Sequence, residues 1–299
     1  MDNRVYLCFT MDCELTDEHS PQGGPADWAL SERAIAGYAS TLEGLGLRAT
    51  YFAIAGTAVA HRDLFCDLAS RGHEVGLHCH PQNRDLGYGE FLGGMSRARQ
   101  VECLRRCQET FAEAMGSPAS AFRPGNFSAS DETFGVLLAL GMDHGSVSLP
   151  GRHLEPLCAV WPQAEPFPHW ADLRRREASG GSGFLEVPVT GDLTRPGYGG
   201  QDGYDVPHLR LERPDLPECL ASIVEMNLRA LADRTGIPRA ICFMTHNTRD
   251  YGDAGEPARV NLVRGAECVR EMAARLSLSV TGATMAQVRD AALRLSGRR

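Results

Sequence analysis

Three histidines fall within eight residues of one another in the run GHEVGLHCHPQ, residues 72–82: His73, His78 and His80. The stretch His73 to Leu77 reads as a short buried strand, with His78 and His80 at its C-terminal end. Residues i and i+2 of an extended chain point to the same face. Pro81 disfavours the α region for His80, which keeps the extended reading where it matters. Two imidazoles on one face of a strand end can hold one borderline-soft metal ion such as zinc, although an isolated H-x-H is as readily a pair of solvated loop histidines. A second pair has the same spacing. The apolar run Val5 to Met11 ends in Asp12-Cys13-Glu14, so Asp12 and Glu14 present two carboxylates to one side. Arg123 follows the short strand Ala121-Phe122, and His246 stands at the end of RAICFMT, residues 239–245. Carboxylates, imidazoles and a guanidinium at strand ends suit metal ligation combined with proton transfer.

The elements that must carry these groups alternate. After the first strand comes a loop from Leu15 to Ala26, then a helix from about Ser31, read as its cap, to Gly44–Gly46. Arg48 to Ile54 is strand-like and His61 to Ser70 helical, and Gly72 leads into the histidine strand. The order β-α-β-α-β implies parallel strands. Glu90 to Met115 carries a long helical pattern with a break near Gly93-Gly94. A helix then starts at Ser130 to Thr133 and ends at Gly141, and Met142 to Val147 is the next strand. Residues 150–183 read as an irregular insertion or lid, Phe184 to Val189 as a strand, and residues 190–217 as a long loop. Glu218 to Thr235 is helical, followed by the strand before His246. Helices at Pro257 to Arg275 and Ala286 to Leu295 flank a weak strand at Ser277 to Val280. The reading is one α/β domain spanning residues 1–299. A barrel fits better than an open sheet, because polar groups recur at the C-terminal ends of many strands, which form one rim in a barrel. An open doubly wound sheet usually shows a glycine-rich phosphate loop, and none is present.

Bulk properties narrow the function. With 299 residues, 43% of them hydrophobic, the chain can bury a large core. A net charge of −8 argues against nucleic acid or an anionic membrane as partner. All 30 basic residues are arginine, which excludes a catalytic or Schiff-base lysine. The ten cysteines are scattered without a C-x-x-C. Cys103 and Cys107 share a helical face with no further ligands evident nearby. No leader-like segment and no apolar run of transmembrane length are seen, so a reduced, cytoplasmic protein is expected.

Taken together, FTMDCE (residues 9–14), GHEVGLHCHP (72–81), FRPGNF (122–127), GMDHGSV (141–147) and FMTHN (243–247) resemble the polysaccharide deacetylase family, also called the NodB-homology or carbohydrate esterase 4 family. The resemblance covers most of the chain and implies a distorted (β/α)7 barrel that hydrolyses N-acetyl groups with one divalent metal ion. Zinc is the expected ion, with cobalt, nickel or iron as alternatives. The family commonly has adjacent aspartates in its first motif. This chain has Cys13 at the second position and is similar to variant members with an acid-x-acid arrangement, which makes Asp12 the base and Glu14 a metal ligand. Beside Glu14 and His78, the family's four-residue spacing would make Gln82 the third ligand. Glutamine is a poor zinc ligand, and the i,i+2 argument moves the assignment to His80. The resemblance also makes Arg123 the partner of the base and His246 the general acid. Backbone N–H groups after Pro124, at Asn126 and Phe127, become oxyanion or substrate donors, and Gln82 a substrate contact. Asp192 is a candidate to orient His246, whereas Asp143 and His73 are read as structural. The expected substrate is a small molecule or short oligosaccharide bearing an N-acyl group. A deformylase or allantoinase-like hydrolase on the same barrel is the alternative, and a metal-free binding relative is the non-enzymatic one.

Overall fold

The computed structural model describes residues 3–20, 23–195 and 204–297. At its centre lies β1 (Arg4–Cys13), buried along nine of its ten residues. A near-continuous apolar run of this kind is what a parallel strand covered on both faces requires. Next come α1 (Trp28–Gly44), β2 (Ala49–Ile54), α2 (Ala55–Ala60), α3 (Arg62–Ser70) and β3 (Glu74–Cys79). They are followed by α4 (Arg97–Met115), β4 (Ala121–Pro124), α5 (Thr133–Ala139) and β5 (His144–Gly145). The hairpin β6 (His153–Leu154) and β7 (Ala159–Val160) precedes β8 (His169–Trp170) and β9 (Leu185–Glu186). The chain ends with α6 (Leu216–Ala232), β10 (Arg239–His246), α7 (Pro257–Arg275), β11 (Ser279–Gly282) and α8 (Met285–Ser296).

The main sheet runs β10-β1-β2-β3-β4-β5-β9-β8, with β11 also paired to β1. Every pair in it is parallel except β8 with β9. The parallel members β1, β2, β3, β4, β5, β9 and β10 curl into a distorted (β/α)7 barrel. Its last gap is closed by extended chain instead of a regular strand. Thr190 N donates to Cys242 O, Met244 N to Leu209 O, and Leu211 N to Met244 O. No helix of eight residues or more lies between β5 and β9, where the stretch 150–183 stands instead. Its Trp161 is fully buried and donates from Nε1 to Phe127 O, which ties the stretch to the barrel mouth. Part of the loop expected at 190–217, residues 196–203, lies outside the described residues.

Several boundaries differ from expectation for local reasons. Helix α1 is capped by Asp27, whose carboxylate accepts from Leu30 N, and Ser31 is instead a buried residue within the helix. The long pattern from Glu90 resolves into a 3-10 turn at Leu92–Gly94 and a helix restarted by the Ser96 cap. The helix expected from Ser130 begins at Thr133, because the Ser130 hydroxyl accepts from Glu132 N in the preceding turn. Strands β5 and β9 keep two residues each, since the Glu186 carboxylate captures Val147 N and Ser148 N where a ladder would continue.

At the amino-terminal ends of the strands a polar latch fastens α8 to the sheet. Glu74 accepts from Thr50 Oγ1 at 2.8 Å and from Ala286 N at 3.0 Å. His144 bridges Glu74 at 2.6 Å and Asp143 at 2.7 Å, and Arg289 of α8 pairs with Asp143. Burial works against charge on His144, but the carboxylates of Glu74 and Asp143 outweigh it and raise the pKa to about 9. An unfolded imidazole titrates near 6.5. Because the folded value is the higher one, the stabilisation is complete below about pH 6.5 and is lost as pH rises through about 9. A shift of this size corresponds to about 3 kcal/mol. Urea unfolding of the wild type and His144→Gln at pH 6 and pH 9.5 should therefore show a stability gap that shrinks by about that amount. A gap independent of pH would mean that His144 is neutral in the latch.

Candidate active site

Parallel register brings the polar residues to one rim. Asp12 lies opposite His246 in the β1–β10 pair, and His78 opposite Arg123 in the β3–β4 pair. Alternation along β1 turns Asp12 and Glu14 to one side and buries Cys13 on the other. Along the end of β3, His78 and His80 share a face while Cys79 faces away. The outcome is a cleft of about 100 Å³ whose walls include Asp12, Glu14, His78, His80, Asn126 and His246. A larger cleft of about 350 Å³ lies at the opposite end of the strands, around Arg4 and Tyr6, and contains neither carboxylate nor imidazole.

Glu14, His78 and His80 meet at a point. Glu14 Oε1 lies 3.2 Å from His78 Nε2 and 2.9 Å from His80 Nε2, and Ser20 Oγ donates to the other Glu14 oxygen at 3.1 Å. Each ring is held from behind. His78 Nδ1 bonds the Arg123 carbonyl at 2.8 Å, and Gln82 Nε2 lies 2.7 Å from His80 Nδ1. The backbone of Glu14 is clamped by buried Asn247, which accepts from Glu14 N and donates to Glu14 O. Gly125 is needed beside His80, since a Cβ there would come within 2.5 Å of the imidazole. Burial alone would raise the Glu14 carboxyl, but the imidazoles of His80 and His78 hold it well below the usual range. For His78 burial works downward, and the carboxylates of Asp12 and Glu14 push the ring up instead. One carboxylate and two imidazole nitrogens, all within 4.8 Å, are a donor set that could hold one divalent ion with a position left open.

Across the cleft, Arg123 is fully buried and donates from Nη1 to Asp12 Oδ1 at 2.7 Å. Its guanidinium carbon also lies 4.5 Å from the centre of the Phe52 ring. Asp12 Oδ2 stands 3.9 Å from His246 Nε2. Asn126 and Phe127 line the same cleft, both with φ near +58°, and Gln82 Nε2 donates to Asn126 Oδ1 at 3.1 Å. Asp192 does not orient His246. Its carboxylate is taken by Thr194 and Arg195, while His246 Nδ1 is bonded to Glu212 Oε1 at 2.5 Å. Burial would raise Glu212, but Arg210 and His246 bring it down to about 2. Glu212 sits in a loop with no periodic pattern, and no local signal in the sequence marks it. The same holds for fully buried Glu186, whose carboxyl burial lifts to about 7 against the Val147 and Ser148 donors and nearby Arg123.

Residues 27–145 match the polysaccharide deacetylase family model. Over this stretch the chain is similar to the polysaccharide deacetylases. Two solved structures are similar along nearly their whole length. One, from Mycobacterium smegmatis and assigned to the polysaccharide deacetylases, has 18% identity and a TM-score of 0.58, covering 100% of this chain and 92% of that one. The other, Puue allantoinase, has 15% identity and a TM-score of 0.60, covering 98% of this chain and 91% of that one. At these identities the likeness is one of fold. No curated protein matches the chain in sequence. Among the described residues, no helix is long and apolar enough to cross a membrane.

Within this site, His80 and Gln82 make different predictions. His80 points its Nε2 at Glu14, whereas Gln82 touches the back of the same ring. Losing a group that supports a ligand costs ~10–100-fold in metal affinity. By competition titration, Gln82→Ala should weaken zinc binding within that range, and His80→Ala should weaken it further. The reverse order would identify Gln82 as the ligand.

Proposed function

We propose that the chain removes an N-acyl group, acetyl in the first instance, from an amino sugar or short glycoside. In this reading Glu14, His78 and His80 hold one divalent ion, Asp12 is the general base and His246 the general acid. The observation that carries it is the convergence of both histidine Nε2 atoms on Glu14 Oε1, across the cleft from the Asp12–His246 pair. Zinc suits the donor set, and when bound it would supply a Lewis acid for the acyl carbonyl and for water. Asp12 accepts the proton of the attacking water on Oδ2, since Oδ1 is committed to Arg123. Backbone N–H groups at Asn126 and Phe127 face the developing oxyanion. His246 delivers a proton from Nε2 to the departing nitrogen. Glu212 at Nδ1 keeps that ring oriented. Gln82 holds the His80 ring from behind at Nδ1, which leaves Nε2 aimed at the position an ion would take.

The modest cleft favours a compact substrate over a long polymer. Arg152 and Arg210 in its wall also favour a second reading, the same chemistry on another C–N bond of a small polar molecule, as in deformylation or the allantoinase-like reaction. We place the protein in the cytoplasm, a proposal supported by ten cysteines that are all free thiols.

Chelation should abolish turnover of N-acetyl amino sugars, and added zinc or cobalt should restore it. Full activity in metal-free protein would overturn the mechanism. Asp12→Asn keeps the side-chain shape and deletes the proton acceptor, so zinc content should stay near one per chain while kcat falls ~10²–10⁴-fold. Loss of zinc from Asp12→Asn, with zinc kept by Glu14→Ala, would exchange the roles of Asp12 and Glu14.

A further inference from the structure

A second donor set lies behind the first. Cys79, the residue between His78 and His80, points across β3 toward α4. There it meets Cys103 and Cys107, which are four residues apart and so share a helix face. Cys79 Sγ lies 3.8 Å from Cys103 Sγ and 3.7 Å from Cys107 Sγ, and all three sulfurs fall within 4.8 Å of one another. Two of the side chains are fully buried and Cys107 is 3% exposed. Among the described residues, the other seven cysteines form no such group of three.

We propose that Cys79, Cys103 and Cys107 bind one thiophilic monovalent ion, Cu⁺ by class. Sulfurs spaced in this way match three thiolates around a single ion at the ~2.3 Å typical of thiolate sites. The group of three contains no imidazole, carboxylate or fourth cysteine. A structural zinc site would want four ligands. Soft, purely sulfur donors in a dry pocket select Cu⁺ in place of Mg²⁺, Ca²⁺ or Mn²⁺, which prefer oxygen. The turn at residues 83–89 lies against α4. Arg106, one position before Cys107, holds that turn to α4 through the carbonyls of Asp85 and Leu86 at 3.5 and 3.4 Å. One strand thus serves a harder donor set on one face and a soft one on the other.

The test uses the reduced full chain in a Cys66→Ser background, which removes the exposed thiol, and does not depend on turnover. Anaerobic Cu⁺ titration against a chromophoric competitor should find one tightly held ion per chain. X-ray absorption should count three sulfur neighbours. The Cys103→Ala/Cys107→Ala variant should lose at least ~100-fold in affinity, while Glu14→Ala binds Cu⁺ as before. Two or fewer sulfur neighbours in the parent protein would overturn the proposal, and that measurement stands even if the double variant does not fold. Unchanged affinity in a folded double variant would overturn it equally.

Discussion

The buried Arg123–Asp12 contact is the constraint on which the rest of the site depends. A fully buried guanidinium must be compensated, and Asp12 Oδ1 at 2.7 Å is the carboxylate that does so. Removing one partner of such a pair costs ~3–5 kcal/mol, because a charge is left buried alone. Asp12 therefore cannot rotate away from the cleft without a large penalty, and its second oxygen is the one left facing His246. The same arginine fixes the other side of the site through its backbone. Its carbonyl accepts from His78 Nδ1, which turns Nε2 toward Glu14. One residue thus aims both a candidate base and a candidate ligand.

Strand parity supplies the remaining order. A period of two puts Asp12 with Glu14 and His78 with His80, while the intervening Cys13 and Cys79 turn into the interior. Parallel pairing then sets the heights, because β1, β3, β4 and β10 all end at the same rim. Where regular pairing fails, side chains take over. Glu186 binds two backbone N–H groups beyond the short β5, and Asn247 clamps the chain at Glu14 after β1 has ended.

These rules explain what could be read from the sequence. The i,i+2 pairs are local, and Pro81 protects the one that mattered, so the pairing of Asp12 with Glu14 and of His78 with His80 was legible from spacing, while only the family resemblance joined Glu14 to the two histidines. The barrel class was legible as well, from apolar strands that each end in a polar residue. Glu212 was not, since its role depends on a loop returning to β10 through Met244, and nothing near it in sequence points there. Asp192 carried the better local signal after its strand, yet it is consumed by Thr194 and Arg195. The meeting of Cys79 with Cys103 and Cys107 was hidden for the same reason, because only two of the three lie on one helix. Short β5 and β9 misled because their apolar composition reports burial, whereas ladder hydrogen bonds depend on what Glu186 captures.

The central claim is that Glu14, His78 and His80 form one metal site with Asp12 left free beside it. Anomalous scattering from crystals of the zinc-loaded protein tests this most directly. The account predicts a single strong peak at ~2.0–2.2 Å from a Glu14 oxygen and from Nε2 of both histidines, with Asp12 still paired to Arg123. A peak bound by Asp12 or Gln82 in place of Glu14 or His80, or no peak in the cleft, would contradict it.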